Sequence, residues 1–171
     1  MLKNIPRSGI VIAIVASALS ACAMTPPAAS TSAIDPPQGE RVMTLTASGV
    51  QNYVCKFDAQ HRAGWVFVSP QATLFDESGR AVVRHGAGPS WEAADGSRIV
   101  GRAIAQLPSE TKASIPQLLL DTHTTAGSGW LSSVRYVQRV KTVGGLMPTK
   151  PCSTVDETGS SPYLAEYVFY K

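Results

Sequence analysis

Apolar residues recur at every second position in one segment of this chain after another, and turn residues separate most of those segments. In VQNYVCKF, Gln51, Tyr53, Cys55 and Phe57 share a face, and in GWVFVSP, Trp65 and Phe67 lie opposite Val66 and Val68. The stretches RAVVRH, RIVGRAIAQL, LLLDTHTT, WLSSVRYVQRV and YLAEYVFYK add β-branched and aromatic residues, which suit a pleated, half-buried surface. A helix would need a 3.6-residue stripe, and no eleven-residue window offers one. The pattern predicts an all-β domain, a single antiparallel β-sandwich or partly closed barrel of about eight to ten strands. In SSVRYVQRV the spacing puts Val134, Tyr136, Gln138 and Val140 on one face, with Arg135 and Arg139 pointing away. Tyr163, Tyr167 and Phe169, at alternate positions of the last strand, read as core. Pro116 and SETKAS predict a loop with one helical turn.

The N-terminus carries a different message. Lys3 and Arg7 precede an apolar run from Ile10 to Leu19, too short to span a bilayer and suited to a secretory signal peptide over residues 1–21. The run ends in Leu19-Ser20-Ala21-Cys22, which resembles the bacterial lipobox. That resemblance implies a thioether lipid (palmitate-type acylation included) on Cys22 and cleavage before it. Several acyl chains, at about 0.8 kcal/mol per buried methylene, make such an anchor effectively permanent. Ala23 in place of aspartate implies sorting to the outer membrane, with the domain facing the periplasm. Residues 22–39 then form a Pro/Ala/Ser-rich tether with too little apolar surface to order itself, and the folded domain is expected over residues 40–171.

Removing the signal also changes the charge. Fifteen basic residues less Lys3 and Arg7 leave thirteen against twelve acidic ones, so the mature chain is close to neutral. No basic footprint for nucleic acid survives, and no partner recognised by charge is implied beyond the membrane reached through the N-terminal lipid.

With Cys22 lipidated, Cys55 and Cys152 remain, and in an oxidising periplasm two leftover thiols are expected to pair. Neither has a cysteine or histidine neighbour at metal-ligand spacing, so a structural disulfide is expected and no metal.

The densest group of chemically capable residues is HGAGPSWEAADGSRIVG, residues 85 to 101. Asp95-Gly96 is a two-residue hairpin signal of type I′, joining SWEAA to SRIVGRAIA, and Gly88-Pro89 marks another turn. On that reading His85 ends a strand begun at Ala81, and Trp91 packs in the core. The same residues also suit a ligand site: an indole beside glycines offers a stacking platform, and His85 titrates near neutral pH. Asp95 would orient His85 only if the turn folded back. Gln51, polar on an aromatic face, is expected to bond backbone, with a ligand contact as the alternative. His61 and His123 stand far apart in sequence and read as surface residues. Nucleophile-elbow and phosphate-loop spacings do not occur.

Taken in order, GVQNYVC at 49–55, WVFVSPQATLFD, His85 through Gly101, IPQLLL, VQRVKTVGG with Cys152 after it, and YLAEYVFY resemble the domain-of-unknown-function family 3455 (DUF3455) of bacterial and fungal, often secreted, proteins. The resemblance covers nearly all of residues 39 to 171. It implies a single compact secreted domain and brings no activity, ligand or catalytic residue. Gln117 departs from it, standing where an aromatic residue is expected after the Ile-Pro step. A dehydrogenase-like label on some relatives finds no support here, because Gly86 and Gly88 lead into Pro89, which has no amide to donate to a dinucleotide. The chain calls for no cofactor.

Three functions remain in view. The leading one is a non-enzymatic, lipid-anchored envelope module that binds a small molecule, a glycan or an envelope protein, with His85, Trp91, Asp95 and Gln51 as candidate contacts. An enzyme using His85 and Asp95 is the alternative, and a purely structural envelope lipoprotein is the third. A concave pocket favours the first two; a filled core favours the third.

Overall fold

A computed structural model describes residues 32–171, so the expected signal segment, Cys22 and the first part of the expected tether lie outside the described residues. Eight strands run β1 Arg41–Phe57, β2 Ala63–Phe75, β3 Ala81–Gly86, β4 Ser90–Ala93, β5 Arg98–Leu107, β6 Gln117–Ala126, β7 Tyr136–Gly144 and β8 Thr158–Tyr170. Each pairs antiparallel with the next, and β8 returns to pair with β1, so the ring is closed. Closure removes the free edges that an open sheet would present, except along one sector of the wall. The strands are not spaced evenly round an axis.

One sector of the wall is short. Only Ala72–Phe75 of β2 pair with β3, and only Arg98–Val100 of β5 pair with β4. The rest of β2, from Ala63 to Gln71, pairs with β1 alone, and β5 beyond Val100 pairs with β6 alone. A gap therefore opens between β2 and β5 above the β3–β4 turn.

Inside the ring, Leu45, Ala47, Leu74, Val83, Trp91, Ile99, Leu120, Val137, Tyr163, Tyr167 and Phe169 form one apolar cluster. A short 3-10 turn, Trp130–Ser133, seals one end, with Leu131 fully buried and Trp130 set edge-on to Phe169. This turn stands where the alternation of WLSSVRYVQRV predicted the start of a strand. SETKAS, expected to hold a helical turn, has none. Leu131 and Val134 are apolar because they plug the ring, and a plug needs burial without a ladder of hydrogen bonds.

The ordered chain begins earlier than residue 40. Ile34, expected in the flexible tether, is buried on the outside of the ring, where its carbonyl accepts the Gln138 side-chain amide at 2.6 Å. Tyr170 donates to Gln138 Oε1 at 2.7 Å. That docking reverses the expected faces of β7: Val137 and Arg139 point into the ring, while Gln138 is buried on the outside beneath Ile34. Hydrophobic alternation reads burial, and here both faces of the strand are buried.

Cys55 and Cys152 are joined, with Cα atoms 5.8 Å apart across 97 residues of sequence. The bond ties the segment after β7 to the end of β1. Phe57, on the same face as Cys55, lies beyond this tie and is exposed.

Candidate functional site

The β3–β4 hairpin places His85 directly across from Trp91. Their rings stack at 4.7 Å with planes 15° apart, and Tyr167 of β8 approaches the histidine ring at 5.0 Å. Trp91 is wholly shielded from solvent, whereas His85 keeps 4 % exposure. The indole is thus the backing and the imidazole the nearer surface. Space for the indole comes from Gly101, where a Cβ would lie 2.9 Å from Trp91 Cζ3. Glycine near this tryptophan therefore admits the tryptophan itself.

A cavity of about 380 Å³ opens here. Its inner wall is His85, Trp91, Leu118, Leu120, Arg139 and Tyr167; Phe67, Val68 and Pro70 of β2, Gly88 and Pro89 of the turn, and Ala103 of β5 surround the gap described above. Phe67 and Val68 are 50 % and 56 % exposed, large apolar side chains held at the mouth.

His85 Nδ1 lies 2.8 Å from the Ser90 carbonyl oxygen, which can only accept, so Nδ1 carries the proton and the Nε2 lone pair is left. Burial lowers its pKa to about 4, Arg139 adding to the shift while the Ser90 carbonyl opposes it. The ring is neutral at physiological pH. It is a hydrogen-bond acceptor and an apolar wall rather than a cation.

Arg139 supplies the charge. It sits across from Tyr167 on β8 and Leu118 on β6, all three lining the cavity. Its Nε and Nη2 donate to the Pro116 carbonyl at 3.3 and 2.9 Å, which orients the guanidinium without neutralising it. The seven ion pairs among the described residues do not include it. Burial raises the pKa of the Tyr167 hydroxyl, which meets that of Tyr163 at 3.2 Å, so both stay protonated.

Of the residues singled out in the sequence, His85 and Trp91 come together at the cavity and the others do not. Asp95 lies in the β4–β5 turn, where Oδ1 accepts from the Ser97 amide and hydroxyl and Oδ2 accepts from the Trp130 amide at 3.0 Å. Both oxygens are committed to holding the 3-10 plug, and His85 Nδ1 is committed to Ser90. The turn also differs from the expected type I′: only Gly96 has positive φ, at 83°, and the Gly96 amide donates to Ala93. That is a three-residue arrangement with glycine in the left-handed position, which leaves the Asp95 carboxylate free to cap.

Gln51 faces inward beneath Gly145, outside the cavity, and its Nε2 has no partner among the described residues. Gln117, the departure from the family pattern, also lies away from the cavity, its amide bridging Pro108 O and the Lys141 amide. His61 sits in the β1–β2 turn and His123 is exposed on β6. Arg139 and Tyr167 are the site residues that sequence reasoning missed. The signal was available in part, since Arg139 shares its parity with Val137.

The family model described as "Protein of unknown function (DUF3455)" matches residues 36–171. No curated protein matches the chain, and no solved structure does.

Proposed function

We propose a function from the premise that this chain belongs to the DUF3455 family, whose description assigns none: it is a lipid-anchored envelope module that binds a small molecule without transforming it. The observation that carries this reading is the cavity of about 380 Å³ between β2 and β5, a size typical of small-molecule sites. Its wall is mostly apolar, with few polar groups converging on it, and a filled core would instead have favoured a purely structural role. An enzyme acting through His85 and Asp95 is disfavoured, because the geometry gives the two residues separate hydrogen-bond partners and leaves no nucleophile–base pair at the cavity. The anchor belongs to the same reading: a thioether lipid on Cys22 holds the domain at the outer membrane, facing the periplasm.

Native mass spectrometry of the protein purified from its own membrane tests the binding claim. A small-molecule adduct is expected on the wild type and is expected to vanish in Ala103→Trp, which fills the cavity from β5. Preparations of both that carry the same adduct, or none, contradict the reading. Cys22→Ser tests the anchor, since serine cannot form the thioether. Equal labelling of the variant and the wild type by palmitate overturns it.

A further inference from the structure

We infer that the cavity takes a monocarboxylic acid with an apolar body, its carboxylate on Arg139 and its body running out between β2 and β5 past Phe67 and Val68. The inference rests on the binding reading above and adds the chemical class of the ligand.

The charge argument comes first. Arg139 is a half-buried cation on the inner face of the ring with no carboxylate paired to it among the described residues. The nearest acidic side chain along β8, Glu166, is engaged by Lys141 on the other face. A guanidinium has five N–H donors, and the Pro116 carbonyl takes one on Nε and one on Nη2. Three donors remain on Nη1 and Nη2, and the Tyr167 hydroxyl oxygen stands close enough to the guanidinium to accept from it beside a ligand. The donors form an end-on fork that matches the two oxygens of a carboxylate.

The rest of the wall decides what else the ligand carries. Leu118, Leu120, Pro70, Pro89, Ala103, Phe67 and Val68 offer nothing to a polar body. One cation balances one negative charge, and a phosphate dianion would leave an uncompensated charge against this apolar wall. His85 is neutral and cannot add to the positive field. Tyr167, across from Arg139, keeps a hydroxyl beside the acid group.

The mouth gives an independent reason for an apolar body. Large apolar side chains are ordinarily covered, yet Phe67 and Val68 stand half-exposed on the part of β2 that pairs with β1 alone, flanking the opening. A ligand tail leaving the cavity would cover them.

The test titrates octanoate, octanamide, octylamine and octyl phosphate onto the full chain by calorimetry. Octanoate is expected to bind at least tenfold more tightly than each of the others. In Arg139→Met that preference should disappear, and in Arg139→Lys it should survive in weakened form, because the charge remains and the fork is lost. Octanamide, octylamine or octyl phosphate binding as well as octanoate overturns the carboxylate assignment while leaving the cavity a binding site. No binding of any of the four overturns both. An unchanged preference in Arg139→Met removes Arg139 as the anchor. The headgroup comparison uses the wild-type protein, so it decides even where a variant at 139 fails to fold.

Discussion

His85 and Trp91 face each other across the β3–β4 hairpin with ring centroids 4.7 Å apart and planes 15° from parallel. The pair joins stability to the site: the indole fills the core, and the imidazole stacked on it forms part of the cavity wall. A neutral, buried histidine in that position makes the fold sensitive to acid.

The histidine pKa falls from 6.5 to about 4 on folding, so between those values the unfolded chain binds more protons than the folded one. The associated stability is fully present above about pH 6.5 and is lost as the pH falls toward 4. A shift of that size corresponds to about 3 kcal/mol. His85→Phe keeps a ring against Trp91 and removes the titration, so its stability should be flatter across this window. Urea denaturation at a series of pH values measures it; a wild-type profile as flat as the variant's contradicts the prediction.

Trp91→Ala removes the largest side chain of the core and should cost about 3–5 kcal/mol. Gly101→Ala pushes a methyl group against the same indole and should cost about 1–3 kcal/mol. The two act on one contact, so the Gly101→Ala penalty should largely disappear in a Trp91→Ala background. Additive urea midpoints for the double variant would show that Gly101 is needed for some other reason.

Asp95→Asn should lower the melting temperature, because a weaker acceptor replaces the carboxylate that holds Ser97 and Trp130. Octanoate affinity should stay at the wild-type value. Loss of binding at an unchanged melting temperature would place Asp95 in the site after all.

Reduction of the Cys55–Cys152 bond releases a loop closed over 97 residues. By the chain-entropy estimate this should cost about 4–5 kcal/mol. Thermal melts with and without reductant measure it, after non-reducing peptide mapping has confirmed the pairing. Coincident melts would mean that the hydrogen bonds between Cys55 and the 156–157 backbone hold the segment by themselves.

What the amino-acid sequence determined by itself is local. Strand character follows from period-two alternation in segments such as VQNYVCKF and YLAEYVFY, and the β4–β5 hairpin follows from Asp95-Gly96, since both depend on residues a few positions apart. The Cys55–Cys152 pair followed from counting, once Cys22 was assigned to lipid. Tertiary structure decided which face of each strand looks inward and where the ring stays open. Arg139 read as an outward residue because its neighbours Tyr136, Gln138 and Val140 form the more apolar row. Gln138 is in fact buried by Ile34, 104 positions earlier in the chain, which covers the outer surface and leaves the inner one to Val137 and Arg139. The gap between β2 and β5 has the same origin, because it exists only where β3 and β4 are too short to fill the wall between two longer strands. Alternation tells one face of a strand from the other, but which face meets the core depends on what distant segments cover.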